Sequence, residues 1–209
     1  MGNVARKIEP YTYQEYQKLR EGERLEIIDG VVYDMSPSPT VKHQRIVLAF
    51  AAKVHGFFKG KVCTPFVAPM DVVLDDINVV EPDVFVVCDK SKITEANIKG
   101  APDLIVEVLS PSTGVKDRRT KKHLYQTHGV KEYLIVSPME ETVERFYLKD
   151  DGRYGESDIF AWHESFASRV FPDLIFDMRV IFEKEDVEYV ADPNEPDWIK
   201  EKLKESGVL

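Results

Sequence analysis

Apolar positions along the chain change period several times, and each change marks an element. Over Val41–Phe58 they recur at Ile46, Val47, Phe50, Ala51, Val54, Phe57 and Phe58, the spacing of an amphipathic helix. Gly60 closes it. Upstream, Thr12-Tyr13-Gln14-Glu15 matches a capping box, with Thr12 as N-cap and Glu15 reaching back. A first helix is therefore predicted to run to about Glu21 and to end at Gly22. Residues 24–28 and 31–35 flank Asp29-Gly30, a favoured turn pair, and predict a β-hairpin. Ser36-Pro37-Ser38-Pro39 is a loop.

Strand-like segments follow at 61–67, 70–74 and 79–87, with Asp75-Asp76-Ile77-Asn78 as the turn between the last two. Residues 88–102 are mostly polar and read as a surface loop ending in Gly100-Ala101-Pro102. Residues 103–109 form a strand. Ser112 or Thr113 caps a helix over about 116–128, which Gly129 stops, and 132–136 is again a strand. Residues 142–149 and 153–160 make a hairpin around Asp150-Asp151-Gly152, residues 174–182 a last strand, and residues 198–204 a short terminal helix. This order predicts an α/β class with a central mixed sheet flanked by helices. The strand–helix–strand unit over 103–136 fits a right-handed crossover. One domain is expected over 1–182, followed by an acidic extension over 183–209 that carries the short helix.

Composition narrows the picture only a little. The 209 residues are 43% apolar and 31% charged, which suits a soluble globular domain with a good-sized core. Apolar runs are too short to span a bilayer. Met-Gly-Asn-Val-Ala-Arg-Lys leads into no apolar signal segment, and Arg6 stands where myristoylation requires serine or threonine. A cytoplasmic protein is expected. Cys63 and Cys88 sit in apolar stretches and are expected to be buried, reduced thiols with no disulfide between them. The net charge of −9 argues against a broadly basic nucleic-acid coat. It leaves room for a local basic patch, and Lys116, Arg118, Arg119, Lys121 and Lys122 form one, unless that run is only a solvated helix face.

The chemistry concentrates in two segments. Glu81-Pro82-Asp83 precedes a β-branched run, and Glu107 lies inside Leu104-Ile105-Val106-Glu107-Val108-Leu109. A carboxylate on a buried strand is costly unless it is paired, hydrogen-bonded or bound to a cation. Strand alternation puts Asp103, Ile105, Glu107 and Leu109 on one face and Leu104, Val106 and Val108 on the other. On the following helix, Asp117, Lys121, Leu124, Tyr125 and His128 share a face. Its apolar members turn it inward, so Lys121 is carried towards the sheet while Arg118, Arg119 and Lys122 point elsewhere. These residues alone leave a structural ion pair for Glu107, or a surface pair between Asp117 and Lys121, as open as a reactive site.

Other candidates weigh less. Asp103 follows a second proline but begins its strand, where a turn role fits better. Ser110 and Ser112 lack the glycine pattern of a nucleophile elbow. His43 opens the long helix and could reach a phosphate or simply cap. His55, His123, His128 and His163 show no zinc spacing, and no phosphate-binding glycine loop is present. Tyr125 reads as core or as support for the site, and Trp162 and Trp198 as packing residues.

Taken together, Gly100 to Thr113, then Asp117-x3-Lys121-x3-Tyr125, then Gly129-Val130-Lys131-Glu132-Tyr133-Leu134-Ile135-Val136 resemble the Uma-type (Uma-two) restriction endonuclease family. Leu25-Glu26-Ile27-Ile28-Asp29-Gly30, the loop from Pro37 to His43, and Glu81-Pro82-Asp83-Val84 agree with it, so the resemblance covers roughly residues 10–182. It implies a PD-(D/E)xK, restriction-endonuclease-like fold. It further implies a metal-dependent endonuclease that acts on DNA with Mg2+ or Mn2+, and a homodimer. Asp83 matches the motif aspartate and Glu107 the second acid, both as metal ligands. Leu109 stands where the usual lysine would be, and Lys121 on the next helix takes its matching position. Glu26 matches an upstream acid that completes such sites. Mg2+ needs only one or two carboxylates besides water and phosphate, and the Val108 carbonyl is a further candidate ligand. Leu109 and the overall acidity also fit a second reading, a nuclease-fold module that binds DNA or a protein partner without cutting.

Overall fold

The computed structural model describes residues 9–19, 24–35, 38–110, 114–184 and 196–205. The capping box forms: Thr12 N–H donates to Glu15 Oε2 at 3.0 Å and Glu15 N–H to Thr12 Oγ1 at 3.4 Å, opening α1 (Tyr13–Leu19). The expected end of that helix at Glu21 and Gly22 lies outside the described residues. The hairpin joins β1 (Leu25–Ile28) and β2 (Val31–Asp34). Its turn residues Asp29 and Gly30 have φ of 51° and 70°, the left-handed pair that suits strand twist. Only glycine fits at 30, because a Cβ there would lie 2.2 Å from Pro10. Helix α2 covers Val41–Phe58, with the Thr40 hydroxyl accepting the His43 N–H.

The strands that follow are β3 (Thr64–Val67), β4 (Val72–Asp75), β5 (Asn78–Val80), β6 (Val84–Val87), β7 (Ile98–Lys99) and β8 (Leu104–Val108). Next come α3 (Gly114–Lys116), a π-helical turn (Asp117–Lys121) and α4 (Lys122–Thr127), then β9 (Glu132–Ser137), β10 (Thr142–Tyr147) and β11 (Asp158–Ala161). Strands β12 (Ser165–Ala167) and β13 (Ile175–Asp177) pair with each other, and α5 (Met178–Ile181) and α6 (Asp197–Glu205) complete the order. The larger sheet runs β11-β10-β9-β8-β6-β3 and the smaller β2-β1-β5-β4-β7. β8 is parallel to β9 and antiparallel to β6, so the larger sheet is mixed, as expected.

Alternation along the central strands divides the core. Val84, Val86, Leu104, Val106 and Val108 pack with Ile46, Phe50, Val54 and Phe58 of α2. Phe85, Ile105 and Ile135 pack on the other face with Leu124, Tyr125 and, from the smaller sheet, Ile28. Each such side chain, once buried, contributes about 1.5–3 kcal/mol. The second face carries the candidate site.

Several expectations are corrected. The strand predicted over 79–87 is two strands in two sheets, with Glu81-Pro82-Asp83 as the link between them. Pro82 has no N–H for a ladder and restricts the residue before it, so the pairing breaks there. Segment 174–182 is not one strand: Asp177 accepts the Arg179 N–H and starts α5. The loop over 88–102 contains a 3-10 turn (Lys90–Lys92) and β7. Cys63 and Cys88 are not free thiols but form a disulfide. The register explains it: Thr64 faces Val87 across β3 and β6, so the next pair outward is Cys63 and Cys88. The proposed caps Ser112 and Thr113 lie outside the described residues.

Candidate functional site

Glu107 lies one residue from the end of β8, on the face shared with Ile105, and is 5% exposed. The crossover helix lies over that face. Within it Asp117–Lys121 takes π-helical geometry, a wider turn that often marks a functional position. Asp117 and Lys121 both point inward and are buried, while Arg118 and Arg119 are exposed. The Lys121 ammonium sits 2.9 Å from Glu107 Oε1 and 2.6 Å from Glu26 Oε1, with Asp117 Oδ1 at 3.9 Å. Glu26 comes from β1 of the smaller sheet and is fully buried. Alternation aims it, like Ile28, at the larger sheet. Its other oxygen takes the Lys116 ammonium at 2.8 Å. The Tyr125 hydroxyl donates to Glu107 Oε1 at 2.7 Å.

Asp83 closes the group from the inter-sheet link. Because Val84 pairs with Val106, the position of Asp83 falls opposite Glu107. Asp83 Oδ2 accepts the Val108 N–H at 2.8 Å and lies 3.4 Å from His43 Nε2 on α2. The structure therefore brings Glu26, Glu107 and Lys121 into direct contact, and sets Asp83 beside them through the backbone of Val108.

Carboxyl groups outnumber the basic groups beside them. Burial resists the Glu26 carboxylate, but Lys121 and Lys116 outweigh it and lower its pKa to about 2. Burial raises that of Glu107; Lys121 opposes this, but Asp117, Asp83 and Glu26 add to it, and the pKa reaches about 8. For Lys121, burial disfavours charge, yet Glu107, Glu26 and Asp117 push its pKa well above the usual lysine value. His43 is likewise raised, because Asp83 outweighs the effect of burial. Four carboxylates thus face two lysines and one histidine. Such a group of hard oxygen donors is of the kind that could hold a divalent cation such as Mg2+, with Asp83 and Glu107 as the candidate ligands. Among the described residues, no three or more His, Cys, Asp or Glu side chains form a ready-made metal cage. Mg2+ does not need one, since water and substrate supply the remaining ligands.

Several members were not singled out from the pattern alone. Lys116 was visible only as part of a basic run, and Asp117 only as half of an i,i+4 pair. His43 was balanced between capping and the site; Thr40 is the cap of α2 and accepts the His43 N–H, while the His43 ring meets Asp83. Asp103 has the strand-start role expected of it, accepting the Cys88 N–H at 2.8 Å and Lys131 at 2.6 Å at the far end of β8. Leu109 packs in the core. Trp162 packs against the core too, whereas Trp198 is half exposed.

A family model described as Uma2, putative restriction endonuclease, matches residues 12–179. The chain belongs to the Uma2 family. The matched Uma2 region contains Glu26, Asp83, Glu107 and Lys121 and stops before α6. An uncharacterized protein of Synechocystis sp. is 29% identical over 148 residues, which is 70% of this chain and 77% of that protein. The Uma2 fold is also that of an Anabaena variabilis protein whose crystal structure is described as a putative nuclease belonging to DUF820. The two share a TM-score of 0.70 at 22% identity, over 83% of this chain and 98% of that one. No helix among the described residues is long and apolar enough to cross a membrane.

Proposed function

We propose that this protein is a metal-dependent endonuclease that hydrolyses DNA phosphodiester bonds, with Asp83 and Glu107 as Mg2+ or Mn2+ ligands and Glu26 and Lys121 completing the site. The observation that supports it most is the Lys121 ammonium, which reaches Glu107 from the crossover helix although Leu109 occupies the usual lysine position. When bound, the cation would polarise the phosphate and make a coordinated water more acidic. Lys121 keeps its proton under these surroundings, so its role is to hold positive charge where the pentacovalent phosphate becomes more anionic, rather than to act as a base. Glu26, ionised and shared between Lys116 and Lys121, orients the Lys121 ammonium towards Glu107. Asp83 is fixed by the Val108 N–H and His43. Cutting both strands of a duplex calls for two such sites, so a homodimer is part of the proposal.

The test is cleavage of plasmid and linear DNA by purified protein with Mg2+, Mn2+ or EDTA. The expected result is cleavage that EDTA stops and that Asp83→Ala abolishes without loss of the folded state. Equal cleavage by Asp83→Ala, in preparations free of contaminating nuclease, would overturn the assignment. DNA binding without any cleavage in either metal would favour the non-cutting module instead.

A further inference from the structure

The two acids of the site share an asymmetry. Among the described residues, the donors around Asp83 all meet Oδ2: the Val108 N–H at 2.8 Å and His43 Nε2 at 3.4 Å. The donors to Glu107 all meet Oε1: Lys121 at 2.9 Å and the Tyr125 hydroxyl at 2.7 Å. Each carboxylate thus has one oxygen held by the protein and one left over. The Asp83 side chain is 18% exposed and that of Glu107 6%, and Asp83 adds to the negative surroundings of Glu107.

The two donors that do not belong to the backbone or to the proposed reactive group are Tyr125 and His43. Tyr125 is fully buried, and its ring stands edge-on to Tyr133 with centroids 4.9 Å apart. That contact fixes the ring whatever the hydroxyl does. The hydroxyl is therefore a single aimed donor on a preset frame. His43 is 6% exposed, and its Nδ1 is buried with no hydrogen-bond partner. Its Nε2 meets Asp83, with the Val108 backbone as a further polar neighbour of the ring.

We propose that Tyr125 and His43 are positioning residues, each occupying one oxygen of its acid so that Asp83 Oδ1 and Glu107 Oε2 are presented to a divalent cation. This rests on the metal-dependent reading above and adds to it the side chains that orient the ligands. Neither residue touches the substrate in this role; each acts through its carboxylate. Partners that orient metal ligands in this way typically account for about 10–100-fold in metal affinity. Tyr125, with the shorter contact, carries the larger share.

The experiment is a titration of the DNA-free protein with Mn2+, read by electron paramagnetic resonance of the free ion, with thermal unfolding of the metal-free protein in parallel. Tyr125→Phe deletes one oxygen and retains the ring contact. It is expected to weaken Mn2+ binding about 10–100-fold. His43→Leu should weaken binding less, and His43→Gln, whose amide nitrogen can replace Nε2, should restore it. Asp83→Ala should abolish binding. Wild-type affinity in a folded Tyr125→Phe, with Asp83→Ala still inactive in binding, would overturn this inference and leave the proposed function standing. Wild-type protein that binds no Mn2+, or Asp83→Ala that binds it normally, would overturn both. If His43→Leu does not fold, the Tyr125→Phe titration decides alone.

Discussion

Glu107 and Glu132 stand on neighbouring parallel strands, β8 and β9, and both are buried, at 5% and 0% exposure. They lie towards opposite ends of the pair, since Leu104 faces Glu132 and Glu107 faces Ile135. Glu132 accepts the Ser168 hydroxyl and the backbone N–H groups of Arg169 and Val170, at 3.0 and 3.2 Å for the latter two. These donors are neutral, and they tie β9 to the turn after β12. Glu107 is instead crowded by Asp83, Asp117 and Glu26 around a single shared ammonium. Burial of a glutamate on a strand therefore says little about function. Whether its partners complete its hydrogen bonds or compete for its charge says much more.

The sharpest way to break this comparison is to exchange the expected losses. Lys121→Met, which keeps the stem and removes the charge, is expected to lower the cleavage rate by about 10²–10³-fold while the protein stays folded. Glu132→Ala should do the reverse. It strands a buried hydroxyl and two N–H groups and should cost on the order of 3 kcal/mol in urea unfolding, with cleavage per folded molecule unchanged. If Glu132→Ala removed activity from a stable protein, the division between the two ends of the sheet would fail.

The next effect is on stability against pH. The folded pKa of Glu107, about 8, lies above its ordinary value of 4.5. The folded state therefore binds this proton more tightly than the unfolded state does. The resulting stabilisation is fully present below about pH 4.5 and is lost as pH rises through about 8. Glu26 acts in the opposite sense, with its contribution present above 4.5 and lost only on acidification towards about 2. Between pH 4.5 and 8 the metal-free protein should thus lose stability through Glu107. Glu107→Gln should flatten that slope in thermal melts. Mn2+ should also bind more tightly as pH rises through this range, because it displaces the Glu107 proton.

The smallest effect belongs to Arg118. Its exposed guanidinium lies 3.5 Å from Glu140 and 3.6 Å from Glu144. Arg118→Ala should change stability by less than about 1 kcal/mol. A large drop in metal affinity from this substitution would show that the site extends beyond the buried face of the helix.

Much of this was legible along the chain because it depends on short repeats. Alternation over Leu104 to Leu109 put Glu107 on the face opposite Val106 and Val108, and helical spacing put Lys121 with Leu124 and Tyr125 on the inward face. The capping box at Thr12 and the Asp-Gly hairpin are local hydrogen-bond patterns, and they form as read. Segment 79–87 misled because its apolar run is continuous on both sides of Pro82, and periodicity does not say which sheet a strand joins. Glu26 was reached only through the family resemblance, since Leu25 to Ile28 gives no local sign that its acid meets Lys121 some ninety-five positions later.

The residues in order thus settle which way each side chain faces, because helix and strand geometry act over a few positions. They do not settle distances between elements. Strand register set Cys63 against Cys88 and Asp83 opposite Glu107. The packing of the smaller sheet against the crossover helix brought Glu26 between Lys116 and Lys121. The crowding of carboxyl groups around Lys121 exists only after those long-range contacts have formed, because each carboxylate alone would be an ordinary solvated acid.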